Sequence, residues 1–259
     1  MSELLFVKLG GSLITDKNRP YTVRQEVLDR LCQELRTARA RCSISLVLGH
    51  GAGSFAHVSA AQHHTHQGLD GPGGWRGFCE VHHDAQRLNA MVREAMSRAG
   101  ELAVTLQPSA ACMLRGGRVI SYDMEPIRRL LVAGVVPMIY GDACVDEELG
   151  FSIASTEELL RHLAGALRPA RVILVGKVDG VLDQHGAVIP EITPETLPEV
   201  EGALRASDGV ADVTGGMLQK VRLALELGAP TEIINGMIPG LLTRALEGER
   251  GLGTTITPT

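Results

Sequence analysis

Three glycine-rich segments each follow a short apolar run of the chain. They are residues 8–12 (KLGGS), 49–54 (GHGAGS) and 214–217 (TGGM). Glycine in such a turn lets backbone N–H groups approach a phosphate closely, and a following helix adds the positive end of its dipole. A tight turn explains one such segment equally well, but three of them favour phosphate binding. The first two strands carry neither a P-loop motif nor a well-placed dinucleotide-binding glycine motif.

Only four of the 25 basic residues are lysine, namely Lys8, Lys17, Lys177 and Lys220. Because nearly all basic positions of this chain are arginine, the four lysines are candidates for sites that need a compact ammonium group. The alternative is that they have no special role and simply remain in a protein from a genome biased towards arginine. Lys8, Lys17 and Lys220 lie within a few residues of a glycine segment. Phosphoryl transfer needs aligned oxyanions and neutralised charge on the equatorial oxygens, which ammonium groups can supply. The pattern therefore predicts phosphoryl transfer.

The elements that must position these residues alternate between short apolar runs and helical patterns, which predicts an α/β fold with crossover helices. We predict strands at 4–9, 44–48, 102–106, 135–140, 171–175 and 231–235, and helices at 23–40, 80–99, 155–167 and 217–227. Ser155 is the predicted N-cap of the third helix, with Glu158 at capping-box spacing. The polar stretch 62–77 is predicted to be a mobile loop. Ligands of open α/β sheets bind at the carboxyl ends of strands, where the glycine segments fall.

The composition is that of an ordinary globular protein, with 259 residues, 44% hydrophobic and 21% charged. A net charge of −5 without a basic run argues against a nucleic-acid partner. No apolar run approaches the ~18 residues that a membrane span needs, and no export signal is expected. Five scattered cysteines without a C-x-x-C pair predict neither a disulfide framework nor a zinc site, and fit a reducing cytoplasm.

Six segments together resemble the isopentenyl phosphate kinase branch of the amino acid kinase family. They are VKLGGS (7–12), HGAGSFAH (50–57), GFCEVHHDAQRLN (77–89), QPSA (107–110), YGD (140–142) and DVTGGM (212–217), and the similarity extends to GTTI (253–256). VKLGGS belongs to the wider family, whereas the segment ending at His57 is more specific to this branch. The resemblance implies a three-layer αβα sandwich around a mostly parallel sheet. It implies one domain, 1–259, with an acceptor lobe (about 1–175) and a nucleotide lobe (about 176–259).

The same resemblance implies Mg-ATP as the phosphoryl donor and a homodimer as the assembly. Residues expected to bind the nucleotide are Lys8, Gly10, Gly11, Gly53, Asp179, Gly180, Gly215, Gly216 and Lys220. Lys17 is expected to stabilise the transferring phosphoryl group. We see no dedicated protein cage for Mg²⁺, which often rides on the nucleotide phosphates.

The acceptor phosphate is expected at the second glycine segment, on Ala52, Gly53, Ser54 and His57. His57 need not act as a general base, because a phosphate oxygen is already ionised near neutral pH. Hydrogen bonding and imidazolium charge are its expected contribution. Apolar residues near this motif, Phe78, Val81 and Met91, are expected to form a wall for a hydrocarbon tail. Asp142 and Asp146 could be general acids, but paired acids on a loop are usually solvent-facing, and we favour that interpretation.

Two positions depart from the family pattern. Where the family reads S-G-D, this chain has Ser155, Thr156 and Glu157, and we expect Glu157 to align Lys8 and Lys220. Where the family reads T-D-V-D-G, residues 176–180 read GKVDG, and Lys177 could supply charge to ATP.

The function expected from the resemblance is ATP-dependent phosphorylation of isopentenyl phosphate to isopentenyl diphosphate, in isoprenoid biosynthesis by an alternative mevalonate route. One alternative is a kinase of the same fold that acts on a phosphonate such as fosfomycin, or on a carboxylate. Another is a non-catalytic nucleotide-binding protein, which Glu157 and Lys177 alone would favour. The residues behind the acceptor phosphate distinguish the two kinase functions, because apolar residues there favour a hydrocarbon tail. A measurement of ATP turnover would test the non-catalytic alternative.

Overall fold

The computed structural model describes residues 2–63, 74–207 and 216–258. Its strands are β1 (Glu3–Leu9), β2 (Ile44–His50), β3 (Ala103–Thr105), β4 (Cys112–Arg115), β5 (Arg118–Tyr122), β6 (Val136–Tyr140), β7 (Asp142–Asp146), β8 (Gly150–Ala154), β9 (Arg171–Gly176), β10 (Glu191–Ile192), β11 (Thr231–Asn235) and β12 (Gly253–Ile256). Its helices are α1 (Gly11–Ile14), α2 (Gln25–Arg41), α3 (Gly53–Gln62), α4 (Gly74–Arg98), α5 (Pro108–Ala111), α6 (Glu125–Val132), α7 (Thr156–Leu167), α8 (Leu197–Ser207), α9 (Gly216–Leu225) and α10 (Leu241–Leu246).

The larger sheet has eight strands in the order β10-β12-β11-β9-β1-β2-β6-β3. Neighbouring strands are parallel except β11 and β12, so the predicted mostly parallel sheet is confirmed. Leu9 of β1 pairs with both His50 and Val175, and His50 pairs with Tyr140. The carboxyl ends of β9, β1, β2 and β6 therefore lie side by side, and the turns that follow them share one edge of the sheet.

Side chains of the central strands are buried on both faces of this sheet, as is typical of parallel strands. In β1, Leu5 and Val7 pack into a core with α2, α4 and α10, whereas Phe6 points into a second core with α7 and α9. The other central strands alternate in the same way. The result is the predicted three-layer αβα arrangement, with one hydrophobic core on each side of the sheet.

The smaller sheet has four strands in the order β5-β4-β7-β8 and was not predicted. It adjoins the end of β6, since its strand β7 follows β6 after the single residue Gly141. Leu114, Val119 and Cys144 of this sheet pack into the core that contains α7. The smaller sheet thus covers the main sheet beside the carboxyl end of β6.

The six predicted strands and four predicted helices are all present. The third helix begins as predicted, because Ser155 Oγ accepts a hydrogen bond from the Glu158 N–H at 3.1 Å. Helix α4 begins at Gly74 and not at residue 80. The loop predicted at 62–77 is therefore wrong for 74–77, while 64–73 lie outside the described residues. None of the described helices is long and apolar enough to cross a membrane. The division into lobes near residue 175 stays a prediction.

Candidate active site

A cavity of about 250 Å³ lies at the edge where the parallel strands end. Gly10 follows β1, Gly51 follows β2 and Gly141 follows β6, and all three line the cavity. Gly176, the last residue of β9, lines it too. The cavity therefore occupies the position that the sequence predicted for a ligand.

The turns after β1 and β2 are in direct backbone contact. A Cβ atom on Gly11 would lie 2.4 Å from the backbone nitrogen of Gly53, and one on Gly51 would lie 2.8 Å from the nitrogen of Gly11. Gly53 has φ +53°, in the left-handed region that favours glycine. Glycine is therefore needed to bring the two turns, and the backbone N–H groups on them, against each other.

All four lysines of the chain line this cavity. Lys8 comes from β1, Lys17 from the segment after α1, Lys177 from the segment after β9 and Lys220 from α9. The elements that carry them are far apart in the sequence, and the fold brings their side chains to one space. Such a concentration of ammonium groups favours a ligand with several negative charges.

Lys8 is buried and forms an ion pair with Glu157, in the first turn of α7. Burial works to raise the pKa of Glu157, but the charge and hydrogen bond of Lys8, together with the charge of Lys220, lower the pKa below its usual value. Glu157 is therefore ionised at neutral pH, and the positive end of α7 favours its charge further. A carboxylate so placed can orient Lys8.

On the acceptor side, Ala52 and Gly53 line the cavity at the beginning of α3. The backbone N–H of Ser54 donates to Thr15 Oγ1 at 2.9 Å, while the buried Ser54 hydroxyl has no hydrogen-bond partner among the described residues. Ser54 does not line the cavity, so this hydroxyl is not exposed to a ligand there. His57 belongs to the second turn of α3, and its side chain lies outside the described part of the structure.

One part of the cavity, called the apolar end below, is lined by side chains from α3, α4 and β8. They are Ala56, Ala60, Val81 and Ile153. Phe78 packs against the same small cluster but does not line the cavity, because its ring contacts Trp75 and Phe151 at centroid distances of 5.5 and 5.6 Å. Phe78 therefore supports the apolar wall from behind.

Met91 does not belong to this wall. It packs into the core between the main sheet and α2. Ten residues separate Met91 from Val81 on α4, which places them about 15 Å apart along the helix axis. We therefore omit Met91 from the proposed acceptor site.

On the nucleotide side, Lys177 and Lys220 line the cavity, but Asp179 and Gly180 do not. The carboxylate of Asp179 accepts a hydrogen bond at 2.8 Å from Nδ2 of Asn235, the last residue of β11. Gly216 is the first residue of α9, and Gly215 lies outside the described residues.

Two residues that position the site were missed by the sequence analysis. Thr156 lines the cavity, and its Oγ1 donates to the carbonyl of His50 at 2.7 Å, which ties α7 to the end of β2. The His50 ring is buried, stacks on Tyr140 and lies 3.2 Å from Asn89 Oδ1. Burial lowers the pKa of His50, which favours its neutral form. Thr156 occupies a position where the family pattern has glycine. This departure is the sequence feature that could have marked Thr156 as part of the site.

Asp142 and Asp146 are both buried, so the interpretation as solvent-facing acids was wrong. Asp146 accepts hydrogen bonds from the backbone N–H groups of Gly116, Gly117, Glu148 and Leu149 at 2.7–3.0 Å. Asp142 accepts from His82 Nδ1 at 2.9 Å. Both carboxylates hold the smaller sheet in place.

A model of the amino acid kinase family matches residues 3–234. The chain therefore belongs to the amino acid kinase family.

Within that family the chain is similar to isopentenyl phosphate kinases. It is 37% identical to the isopentenyl phosphate kinase of Methanothermobacter thermautotrophicus over 98% of its own length and 99% of that protein. It is also 37% identical to the Haloferax volcanii isopentenyl phosphate kinase, with 89% and 90% covered. A crystal structure of an isopentenyl phosphate kinase matches the fold with a TM-score of 0.83 at 32% identity, covering 98% of this chain and 100% of that one.

Proposed function

We propose that this chain transfers the γ-phosphoryl group of ATP to isopentenyl phosphate, giving isopentenyl diphosphate and ADP in isoprenoid biosynthesis. The observation that carries the proposal is one cavity that combines four lysines and two glycine turns with apolar side chains from α3, α4 and β8. A diphosphate-forming reaction needs a site for many negative charges, and an isoprenoid tail needs an apolar wall. Similarity to isopentenyl phosphate kinases over nearly the whole chain supports the proposal.

The residues around the cavity fit the phosphates of ATP. The backbone N–H of Gly11 and the ammonium groups of Lys8 and Lys220 would hold them, with Lys177 adding charge. Gly10 would shape the turn, because its own N–H donates to the Val175 carbonyl at 2.8 Å. Glu157 would keep Lys8 oriented, and Lys17 would neutralise the charge on the transferring group. Gly216, the first residue of α9, would add a backbone donor, and the resemblance adds Gly215.

We also propose Mg²⁺ as a companion of the nucleotide. Among the described residues no group of acidic, histidine or cysteine side chains could hold a metal ion. Mg²⁺ commonly keeps several waters and binds through substrate phosphates, so ATP would bring the ion into the site. It would neutralise phosphate charge there.

The acceptor phosphate would lie at the N-terminus of α3. Ala52 and Gly53, which line the cavity there, support this placement, and the resemblance adds Ser54 and His57. The tail would then extend toward Val81 and Ile153.

A panel of four acceptors tests the proposal. Isopentenyl phosphate has four more carbons than methyl phosphate, and burial is worth about 0.8 kcal/mol per CH₂, so kcat/KM should be roughly a hundredfold higher. Dimethylallyl phosphate should fall within about one order of magnitude, because an apolar pocket discriminates isomers weakly. The measurement is ADP release at one concentration of Mg-ATP.

Equal or better kcat/KM with methyl phosphate or fosfomycin would overturn the isoprenoid acceptor in favour of another small acidic substrate. If no compound stimulates ADP release, the chain is not a kinase of these acceptors.

We infer a homodimer and a cytoplasmic location as well. Strand β3 is the last strand of the larger sheet, and the exposed Leu102 and Val104 lie next to it and on it, which supports pairing with a second copy. Five free cysteines support a reducing compartment. Light scattering of the purified chain tests the dimer, and a monomer at micromolar concentration would overturn it.

A further inference from the structure

The segment between α1 and α2 carries Lys17 and closes on itself as a loop. Thr15 and Val23 form an antiparallel bridge, and the Asp16 N–H donates to the carbonyl of Thr22 at 2.9 Å. Lys17 itself is exposed toward the cavity at the tip of this loop. Asp16 also accepts hydrogen bonds from the N–H groups of Asn18 and Arg19 at 3.1 and 3.2 Å. These bonds fix the loop internally, but attaching it to the helices beside the cavity needs another support.

Tyr21 supplies that support. Its backbone N–H donates to the carbonyl of Ser54 at 3.2 Å, and its hydroxyl donates to Asp84 Oδ2 at 3.1 Å. Its ring meets the Phe55 ring edge-on, with centroids 5.7 Å apart. The Arg87 guanidinium lies 5.0 Å from the centre of the Tyr21 ring. These contacts join the loop to α3 and α4, the two helices that form the acceptor side of the cavity.

The backbone at Tyr21 is strained. Its φ is +55°, and among the described residues the other non-glycine residue with a positive φ is Arg168, which ends α7. A helix end explains Arg168, since left-handed residues are common there. Tyr21 ends no helix, and a bulky side chain rarely adopts this conformation without compensating contacts. The contacts to Phe55, Asp84 and Arg87 provide that compensation.

We propose that Tyr21 is a positioning residue that latches the loop onto α3 and α4 and so holds the Lys17 ammonium in the cavity. Tyr21 does not line the cavity, so its effect on phosphoryl transfer must pass through Lys17. The inference rests on the proposed role of Lys17 in stabilising the transferring group. It adds a residue that neither the motifs nor the spacing of the sequence indicated.

The test begins with Tyr21→Phe, which keeps the ring and its contacts and removes only the hydroxyl bonded to Asp84. Because the net value of one hydrogen bond is modest, kcat should fall about 3- to 10-fold, with the KM for ATP within about twofold of the wild-type value. Tyr122→Phe is the matched control. The Tyr122 hydroxyl donates to the carbonyl of Leu106 at 3.0 Å, away from the cavity, so kcat should not change.

The route through Lys17 is tested in a double variant. If Tyr21 acts only by positioning Lys17, Tyr21→Phe should have no further effect on kcat once Lys17 is replaced by methionine. A Tyr21→Phe effect of equal size in both backgrounds would overturn the proposal. An unchanged kcat in the single variant would overturn it as well.

Hydrogen exchange of residues 16–22 in the protein without substrates gives a readout that does not depend on activity. Exchange should be faster in Tyr21→Phe than in the wild type, and unchanged in Tyr122→Phe. Unchanged exchange in Tyr21→Phe would overturn the latch whatever the kinetics show. If exchange is faster but Lys17→Met leaves kcat intact, the proposed role of Lys17 fails while the latch remains, so the two failures are distinguishable.

Discussion

The two ends of the cavity are built in different ways. At the phosphate end, Gly11 and Gly53 bring two turns so close that a single added carbon would lie within 2.4 Å of backbone. At the apolar end, the lining consists of side chains on helices α3 and α4 and strand β8, such as Val81 and Ile153. Backbone atoms therefore define the first end, and replaceable side chains define the second.

Because of this difference, phosphoryl transfer and recognition of the acceptor tail depend on different parts of the cavity. Phosphoryl transfer depends on charges held to a fraction of an ångström, which a backbone cradle and the Lys8–Glu157 ion pair provide. Tail recognition depends on the apolar area that is buried, which changes gradually with side-chain size. We therefore expect substitutions at the phosphate end to affect kcat strongly, and substitutions at the apolar end to affect the acceptor KM mildly.

The largest effect is expected for Lys17→Met. Removing a charge that stabilises the transition state should lower kcat by about 10²- to 10³-fold, while the KM for ATP stays within a few-fold. Lys177→Met removes the same charge from the same cavity and should instead raise the KM for ATP. Steady-state kinetics with varied ATP compare the two. A large rise in the ATP KM of Lys17→Met with normal kcat would contradict the proposed role.

The second prediction concerns the backbone cradle. In Gly11→Ala the new Cβ meets the Gly53 nitrogen, so the two turns must separate, and kcat/KM should fall about 10²-fold because a displacement near 1 Å has that effect. Stability should fall by about 1–3 kcal/mol.

The control for this variant is Gly165→Ala, inside α7, where no atom lies within 4 Å of the added carbon. It should stabilise the protein by about 0.5–1 kcal/mol, since alanine favours helix over glycine. An active, stable Gly11→Ala variant would show that the close contact is not required.

The third prediction concerns Glu157. Glu157→Gln removes the charge that orients Lys8, and kcat should fall on the order of tenfold, because a charged hydrogen bond is worth about 1.5–3 kcal/mol. Glu157→Asp keeps the charge and should be tolerated. Glu147→Gln breaks an exposed ion pair with Arg115 and serves as the control without effect. An unimpaired Glu157→Gln variant would show that the carboxylate has no role in turnover.

The same variant has a defined dependence of stability on pH. The pKa of Glu157 is lowered in the folded protein, so its stabilising contribution is present above the pKa of the unfolded chain and is lost as the pH falls through the lowered value. The melting temperature of Glu157→Gln should therefore lie below that of the wild type at neutral pH, and the difference should shrink in acid. A difference that is constant with pH would contradict the ion pair as its source.

Much of the phosphate end could be predicted from the sequence, because it is built from glycine and lysine. Buried parallel strands such as β1 and β9 give continuous apolar runs, and the glycine turns mark their carboxyl ends. The scarcity of lysine made Lys8, Lys17, Lys177 and Lys220 candidates for the site, and the fold brings all four to one cavity. Local sequence patterns were sufficient for the phosphate end, because a glycine turn or a lysine marks the ends of the strands that form it.

The smaller sheet and the contacts of Tyr21 with α3 and α4 could not be predicted in this way. Strands β4 and β5 are four and five residues long and contain exposed arginines, so no apolar run marks them. Met91 was assigned to the acceptor wall because it lies near the specific motif in the sequence, and nearness in sequence does not show which core a side chain meets. The contact of Tyr21 with Asp84 spans 63 residues and leaves no local pattern. The smaller sheet, the position of Met91 and the contacts of Tyr21 all depend on tertiary packing between segments that are far apart in the sequence.

The smallest effect is expected at the apolar end, for Val81→Ala. The change removes two methyl groups from the cavity lining, so the KM for isopentenyl phosphate should rise about 3- to 10-fold, with kcat unchanged. Methyl phosphate, which has no tail to reach Val81, should show no change. Val92→Ala makes the same substitution on the same helix, but Val92 is buried in the core against α2. Both variants should lose similar stability by thermal melting, and only Val81→Ala should change the acceptor KM. If Val92→Ala raises that KM equally, the effect comes from general loosening of α4, and the separation between the two ends of the cavity fails.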